Sequence, residues 1–315
     1  VYEFDPETKE RRWTERLPHR DIHDVDLLDG SELLVAGINY TEGEPAGDRV
    51  YVYNRTREEV TWEWYFRNYY PEDAGPGSAS GDWTHVNDVD AVGNGSVLVS
   101  VRNLDQVILV NRSTKAIELR LGRDGDHDIL DEQHNPTYLE SRDGDPTILV
   151  ADSENDRIVE YEYADGEWER VWSLSGGLNW PRDADRLPNG NTLVVDSMHH
   201  RVIEVTPRGE IVWEAIVPWA TYDAERVAHG DEPGGPTIRD LGANRTYELQ
   251  PDTPSHVTLP TVPQVIGDAR SVVPVPKSLQ RVVRRWNHVA PWFTPLWLPT
   301  WSASLLAVAL SILLG

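Results

Sequence analysis

Three histidines stand at similar places in a sequence that repeats itself, each in polar company. His23 precedes Asp24, His85 lies near Asn87, and His134 sits between Gln133 and Asn135. In the following repeat the place is held by Arg182 with Asp183. Just after the next strand of each unit comes a second polar set, Arg102, Arg157 and Arg201. Imidazoles, guanidiniums and amides gathered at one point suit a tetrahedral oxyanion. Arginine forks match its oxygens, and charged histidine and asparagine donate further bonds. The plainer reading is that polar groups at repeat positions tie neighbouring units together, and the Asp26, Asp90 and Asp185 series is assigned that task.

The elements that must position these groups are legible as a repeat. Residues 23–30 run into 32–35, 87–90 run through Gly93-Asn94-Gly95 into 97–99, 134–139 run into 148–150, and 182–187 run through Asn189-Gly190-Asn191 into 193–195. Each is a strand, a turn of Asn-Gly or Asp-Gly type that tolerates positive φ, and a second apolar strand. A second hairpin follows in each unit, as at 49–53, 106–110, 157–161 and 201–205. Four antiparallel strands repeated every ~45–60 residues indicate the blades of a β-propeller, in which the innermost strands converge on the axis.

The fold class predicted is therefore all-β. A β-propeller occupies 1–260, with the second half of a blade at 1–17 and blades at 20–67, 85–122, 134–174 and 180–216. The half blade predicts more blade sequence upstream in the full-length protein and six blades in all. The alternative is closure from the C-terminal side, with 217–275 completing the first blade. Trp219, Tyr222 and residues 220–240 are a candidate cover for one mouth of the tunnel.

Charge narrows the setting. Fifty-three acidic residues against 29 basic ones give a net charge of −24, which excludes nucleic acid as a partner because phosphates are repelled. Lys9, Lys115 and Lys277 are the only lysines. An acidic, lysine-poor composition spread through strand-like sequence predicts a halophile, since such a surface stays soluble when salt screens charge within a few ångströms. Without cysteine there is no disulfide, thiolate nucleophile or cysteine-bound metal. Five sequons, at Asn39, Asn54, Asn94, Asn111 and Asn244, point towards an exported, glycosylated surface.

The C-terminal part changes character. Residues 261–288 read as a linker and an amphipathic helix, with Leu279, Val282, Val283, Trp286 and Val289 on one face and Lys277, Arg281, Arg284 and Arg285 elsewhere. Residues 289–315 carry no charge and hold Trp292, Trp297 and Trp301, which predicts a membrane anchor ending in a transmembrane helix. The basic flank by itself favours the cytoplasmic side, and the sequons favour the outside. The expectation is a membrane-anchored protein with its propeller on the extracellular face.

Trp83-Thr84-His85-Val86-Asn87-Asp88, continuing to Arg102-Asn103, and Glu132-Gln133-His134-Asn135-Pro136 resemble the arylsulfotransferase family of six-bladed propellers, here of a halophilic archaeal type. The likeness runs over about residues 20–215, and its His-x-Asn, Arg and Gln-His series is more specific than the Leu187-Pro188-Asn189-Gly190-Asn191 stretch it also shares. The resemblance implies sulfuryl transfer from an aryl sulfate to a phenolic acceptor without a nucleotide donor and without a cofactor. It implies His134 as nucleophile, forming a sulfohistidine, with His85 and His23 as further catalytic residues. Asn87 and Arg102 would hold the sulfuryl oxygens, and Asn135, Arg157 and Arg182 are added to that set from their repeat positions. The cysteine pair of some exported bacterial members is missing.

Two other readings stay open. Residues 180–202 are similar to an NHL-type repeat, which would make the chain a non-catalytic propeller binding a protein or glycan at the cell surface. A lactonase-like propeller would bind axial calcium through Asn87, Asn135 and Asp183, although arginine and histidine at the axis repel a hard cation. The run Asp124, Asp126, Asp128 and Asp131 is a candidate for a structural calcium or, equally, a solvated loop.

Overall fold

The computed structural model describes residues 1–19, 21–39, 47–71, 73–76, 82–142, 144–250 and 277–293. The chain is all-β, with a propeller-like series of four blades and few helices. A hairpin of β1 (Tyr2–Phe4) and β2 (Arg11–Thr14) precedes them. The first blade is β3 (Asp21–Leu27), β4 (Glu32–Ile38), β5 (Arg49–Asn54) and β6 (Glu59–Tyr65). The second is β7 (Val86–Val92), β8 (Ser96–Val101), β9 (Gln106–Asn111) and β10 (Ile117–Gly122). The third is β11 (His134–Leu139), β12 (Thr147–Asp152), β13 (Arg157–Ala164) and β14 (Glu167–Ser175). The fourth is β15 (Pro181–Arg186), β16 (Thr192–Asp196), β17 (Arg201–Val205) and β18 (Ile211–Ile216).

In each blade the second strand is a near-continuous apolar run, Leu33-Leu34-Val35-Ala36 in β4 and Leu193-Val194-Val195 in β16, and these runs are buried. Burial on both faces removes the alternation expected of a half-exposed strand. The outer strands alternate, as in β6 and the first half of β14. A 3-10 turn joins the second strand to the third in blades two to four, closed by a left-handed residue: Asp105, Asp156 and His200, at φ 51°, 53° and 55°.

The chain divides into two compact units, Val1–Pro136 and Thr137–Gly315. In the first unit the first two blades share a core that includes Leu34, Val50, Trp64, Phe66, Trp83, Val99 and Ile108. Polar ties register them: Asp24 and Asp26 accept the backbone N–H groups of Val89 and Ala91, each at 3.0 Å. Trp62 and Trp64 donate their indole N–H to the carbonyls of Arg112 and Lys115. In the second unit Trp172 repeats the tie, donating to the Pro207 carbonyl at 2.9 Å. There Arg186 and Glu160, both buried, pair at 2.9 Å.

The segment after blade four does not form a blade of its own among the described residues. Its strand β19 (Thr246–Glu248) adds in parallel to β14 and so widens blade three. The helix α1 (Lys277–Val289) falls where the sequence predicts it. It faces the second unit with polar groups: Asn287 and His288 are buried, while Val282, Trp286 and Val289 are exposed. Among the described residues no helix is long and apolar enough to cross a membrane. The predicted anchor lies mostly in 294–315, outside the described residues.

Candidate functional site

The innermost strands of blades one, two and four each begin with a β-bulge. Their register shifts fall between Ile22 and Asp24, between Val86 and Asp88, and between Pro181 and Asp183. The extra residue at each bulge is His23, Asn87 or Arg182, and a bulge re-aims the side chain it carries. His85, Glu132 and Trp180 have positive φ (44°, 48° and 50°), each two residues before Asn87, His134 and Arg182. The repeat position is thus His23, Asn87, His134 and Arg182. This corrects the reading that puts all three histidines in one register: His85 comes from the loop before β7, and its left-handed backbone carries it there.

The first unit brings His23, His85, Asn87, Arg102 and His134 into one polar network. The His23 and His85 ring centroids are 4.5 Å apart. His85 Nδ1 bonds the Asp82 carboxylate at 2.8 Å. Arg102 pairs with Glu132 and donates to Asn103 Oδ1, while Asn103 donates to the Asp82 carbonyl at 2.8 Å. Asn87 Nδ2 donates to the Gln133 carbonyl at 2.9 Å, and Gln133 Nε2 donates to Ser100 Oγ and the Gln106 carbonyl. His134 is buried, and its Nδ1 lies 3.1 Å from the Glu132 carbonyl oxygen. A carbonyl only accepts, so that contact puts the proton on Nδ1 and the ring's lone pair on Nε2.

Electrostatics sort the groups. Burial first, then His85 and Arg102, hold the His23 imidazole below its usual value against the pull of Asp21 and Asp82, so it is neutral at pH 7. Burial works to raise the Asp82 carboxyl, but the bond to His85, the imidazole charge and Arg102 outweigh it and leave it lowered. Beneath the loop, Asp48 is fully buried and accepts both the Thr84 N–H and its hydroxyl, at 3.1 and 2.6 Å. Burial raises this carboxyl. Asp48, Asp82 and Glu132 are the positioning residues that the sequence reading misses. Asp82 and Glu132 lie within three residues of a candidate histidine, a spacing that could have drawn attention to them.

The other candidates are placed differently. Asn135 adjoins His134 at φ 35°, and its buried Oδ1 has no hydrogen-bond donor among the described residues. Arg157 lies in the second unit with its Nε 2.5 Å from Asp152. Arg201 makes the same bond to Asp196 at 2.7 Å. The second polar set is therefore not one register: Arg102 opens its 3-10 turn, where blades three and four have Ser153 and Ser197, whereas Arg157 and Arg201 match Gln106. Arg182 stacks on Trp180 and Tyr222, at 4.3 and 4.9 Å from their ring centroids.

Of the sequons, Asn54 is buried and its Oδ1 accepts the Arg57 N–H. Asn111 bonds Ser113, Thr114 and Glu118, the Asn39 backbone N–H bonds Asp48, and Asn244 is exposed. The Asn94 side chain lies outside the described residues. In the acidic run, Asp124 accepts the Gly75 N–H and Asp126 the Arg123 guanidinium. Only Asp131 of that run falls in a compact carboxylate cluster, with Asp105 and His127.

A family model described as Arylsulfotransferase (ASST) matches residues 9–140. No curated protein matches the chain. Several solved structures are similar at low identity. A streptogramin B lyase is 9% identical with a TM-score of 0.43, over 64% of this chain and 56% of that one. A virginiamycin B lyase from Staphylococcus aureus is 12% identical with a TM-score of 0.41, over 62% and 56%. Hydrazine synthase from Kuenenia stuttgartiensis is 16% identical with a TM-score of 0.42, over 65% and 52%. The chain spans little more than half the length of these proteins. The span similar to the arylsulfotransferase family contains His23, His85, Asn87, Arg102, His134 and Asn135, and Arg157 and Arg182 fall outside it.

Proposed function

We propose that the chain transfers a sulfuryl group from an aryl sulfate ester to a phenolic acceptor through a sulfohistidine at His134. The observation that carries this reading is the Nδ1 contact of buried His134 with the Glu132 carbonyl, which directs the lone pair to Nε2 inside the span matched by the arylsulfotransferase model. In the first step Nε2 forms a bond to sulfur while the bond from sulfur to the aryl oxygen breaks. The phenolate departs with the electron pair and takes a proton from His85, which Asp82 orients. In the second step the acceptor's oxygen attacks sulfur, the nitrogen–sulfur bond breaks, and the phenolic proton passes to the same imidazole. His23, held neutral, shares that proton traffic. Arg102 and Asn87 offer donors to the equatorial oxygens, where charge builds as the group passes between the two partners.

The full-length protein in this reading is a six-bladed, halophilic propeller of the cell surface. The exposed Val282, Trp286, Val289, Trp292 and Phe293 beside Arg285 form a face suited to an anionic lipid surface.

The test is intact-mass spectrometry after brief exposure to a chromogenic aryl sulfate in molar salt. The expected result is phenol release and a sulfuryl adduct that disappears in His134→Ala. A folded protein giving neither adduct nor phenol would instead be a binding propeller of the NHL-like kind.

A further inference from the structure

Five Asn-x-Ser/Thr sequons stand in the chain, and the structure separates them. Such a triplet is modified where the asparagine amide nitrogen can enter a transferase together with the hydroxyl two residues on. Asn54 is buried, and its Nδ2 faces Glu32 Oε1 at 3.5 Å. Asn111 uses both ends of its amide. Its Nδ2 donates to Glu118 Oε1 at 3.0 Å, and its Oδ1 accepts the N–H groups of Ser113 and Thr114. The Asn39 amide nitrogen is packed against the chain, since a methyl group at Gly47 would meet it at 2.5 Å. In the sequon of Asn94 the hydroxyl is withdrawn: Ser96 is buried and donates to Glu118 Oε2 at 2.9 Å.

The last triplet differs in every respect. Asn244, Arg245 and Thr246 are all exposed. Neither the Asn244 amide nor the Thr246 hydroxyl makes a hydrogen bond among the described residues. The backbone that carries them is nevertheless held on both sides. Ala243 is buried and its N–H donates to the Ile238 carbonyl at 3.2 Å, while Tyr247 packs against the core of the second unit. Between these anchors the Arg245 carbonyl accepts the Ser173 N–H. β19 is the outermost strand of blade three, so among the described residues no further strand lies beyond the triplet. A fixed backbone thus presents both reactive groups to solvent.

We propose that Asn244, rather than any of the other four, carries an N-linked glycan. Nδ2 forms a bond to the anomeric carbon of an oligosaccharide carried on a lipid phosphate. The bond from that carbon to the phosphate oxygen breaks, the phosphate leaves with the electron pair, and the amide gives one proton to the transferase. The inference rests on the cell-surface placement in the proposed function and not on the sulfuryl chemistry.

The experiment is mass spectrometry of the full chain isolated from the cells that make it, cut by a protease that cleaves before aspartate. That cut releases residues 240–251, which hold Asn244 and no other sequon. The expected result is a series of sugar mass increments on this peptide, lost in Asn244→Gln and in Thr246→Val and kept in Thr246→Ser. In parallel, intact cells are treated with a membrane-impermeant amine reagent, which reads the exposed Lys9. Labelled cells whose 240–251 peptide is bare would overturn the glycan and leave the surface placement standing. Cells that stay unlabelled, with a bare peptide, would overturn the placement and the glycan with it. Sugar on the peptide of Asn54 or Asn111 with 240–251 bare would overturn the choice of Asn244.

Discussion

The turn between the second and third strands is built alike in blades two, three and four, yet it does different work in the two units. In the second unit it is closed locally. Asp152 ends β12 and binds Arg157, and Asp196 ends β16 and binds Arg201 and His199. Both aspartates are fully buried. In the first unit Val101 and Gln106 stand in those places, so the local pair is lost. An arginine appears instead at the head of the turn, and its partner, Glu132, comes from the loop that carries His134. Similar backbone thus supports a self-satisfied brace in one unit and an arginine aimed at a histidine loop in the other. The pairs closed within their own blades brace their turns, while the pair of Arg102 with Glu132 ties the turn of blade two to the segment that precedes β11.

That contrast breaks most sharply at His134. His134→Ala is expected to lower sulfuryl transfer by about 10⁴-fold or more with the fold kept, as checked by aryl sulfate turnover and circular dichroism. The brace should behave oppositely. Asp196→Ala leaves Arg201 and His199 without their shared carboxylate and is expected to cost about 3–5 kcal/mol of stability, read by denaturant unfolding, with little change in turnover of the folded fraction. An activity loss with stability intact would erase the distinction between the two corners. Arg102→Ala should lower kcat/KM by about 10²–10³-fold, with Arg102→Lys restoring part of it, since lysine keeps the charge and loses the fork.

The units should also answer pH with opposite signs. In the second unit His288 sits between Asp156 and Glu154, at 3.0 and 3.5 Å, and stacks on Trp180. Burial works against its charge, but the bonds to Asp156 and Glu154 outweigh it and raise the imidazole from 6.5 to about 9. A raised value means that the stabilisation is whole below pH 6.5 and is lost as pH rises through about 9, amounting to on the order of 3 kcal/mol for the docking of α1. Limited trypsin digestion across that range, with His288→Gln as the pH-insensitive reference, reads it. His23 is lowered, so its contribution holds above 6.5 and fades as pH falls below that value. This smaller effect is visible as acid destabilisation missing from His23→Gln.

Much of this was legible in the residues. The apolar second strands, the Asn-Gly turns and their spacing announce four-stranded blades, because a strand buried on both faces must be apolar throughout and its hairpins need positive φ. His23, Asn87 and His134 could be singled out by type and repeat position, and Arg102 by type alone, since its register differs from that of Arg157 and Arg201. Asp48 could not, because the donors it satisfies belong to Thr84 and Asn39, and only folding makes it their acceptor. The helix shows the same limit: its apolar stripe was readable, but which face docks was not, because His288 finds its carboxylates more than a hundred residues away.

The sequence by itself determined the blade pattern, the excess of carboxylates and the residue types available for an oxyanion, since these depend on periodicity and composition. Tertiary structure alone decided the rest. Bulges at His23, Asn87 and Arg182, with the left-handed Glu132 two residues before His134, define the true repeat position, the left-handed turn delivers His85 from outside the strand, and the Glu132 carbonyl chooses the nitrogen of His134 that keeps its lone pair. Each of these depends on where a distant backbone group comes to rest, which no local pattern of side chains specifies.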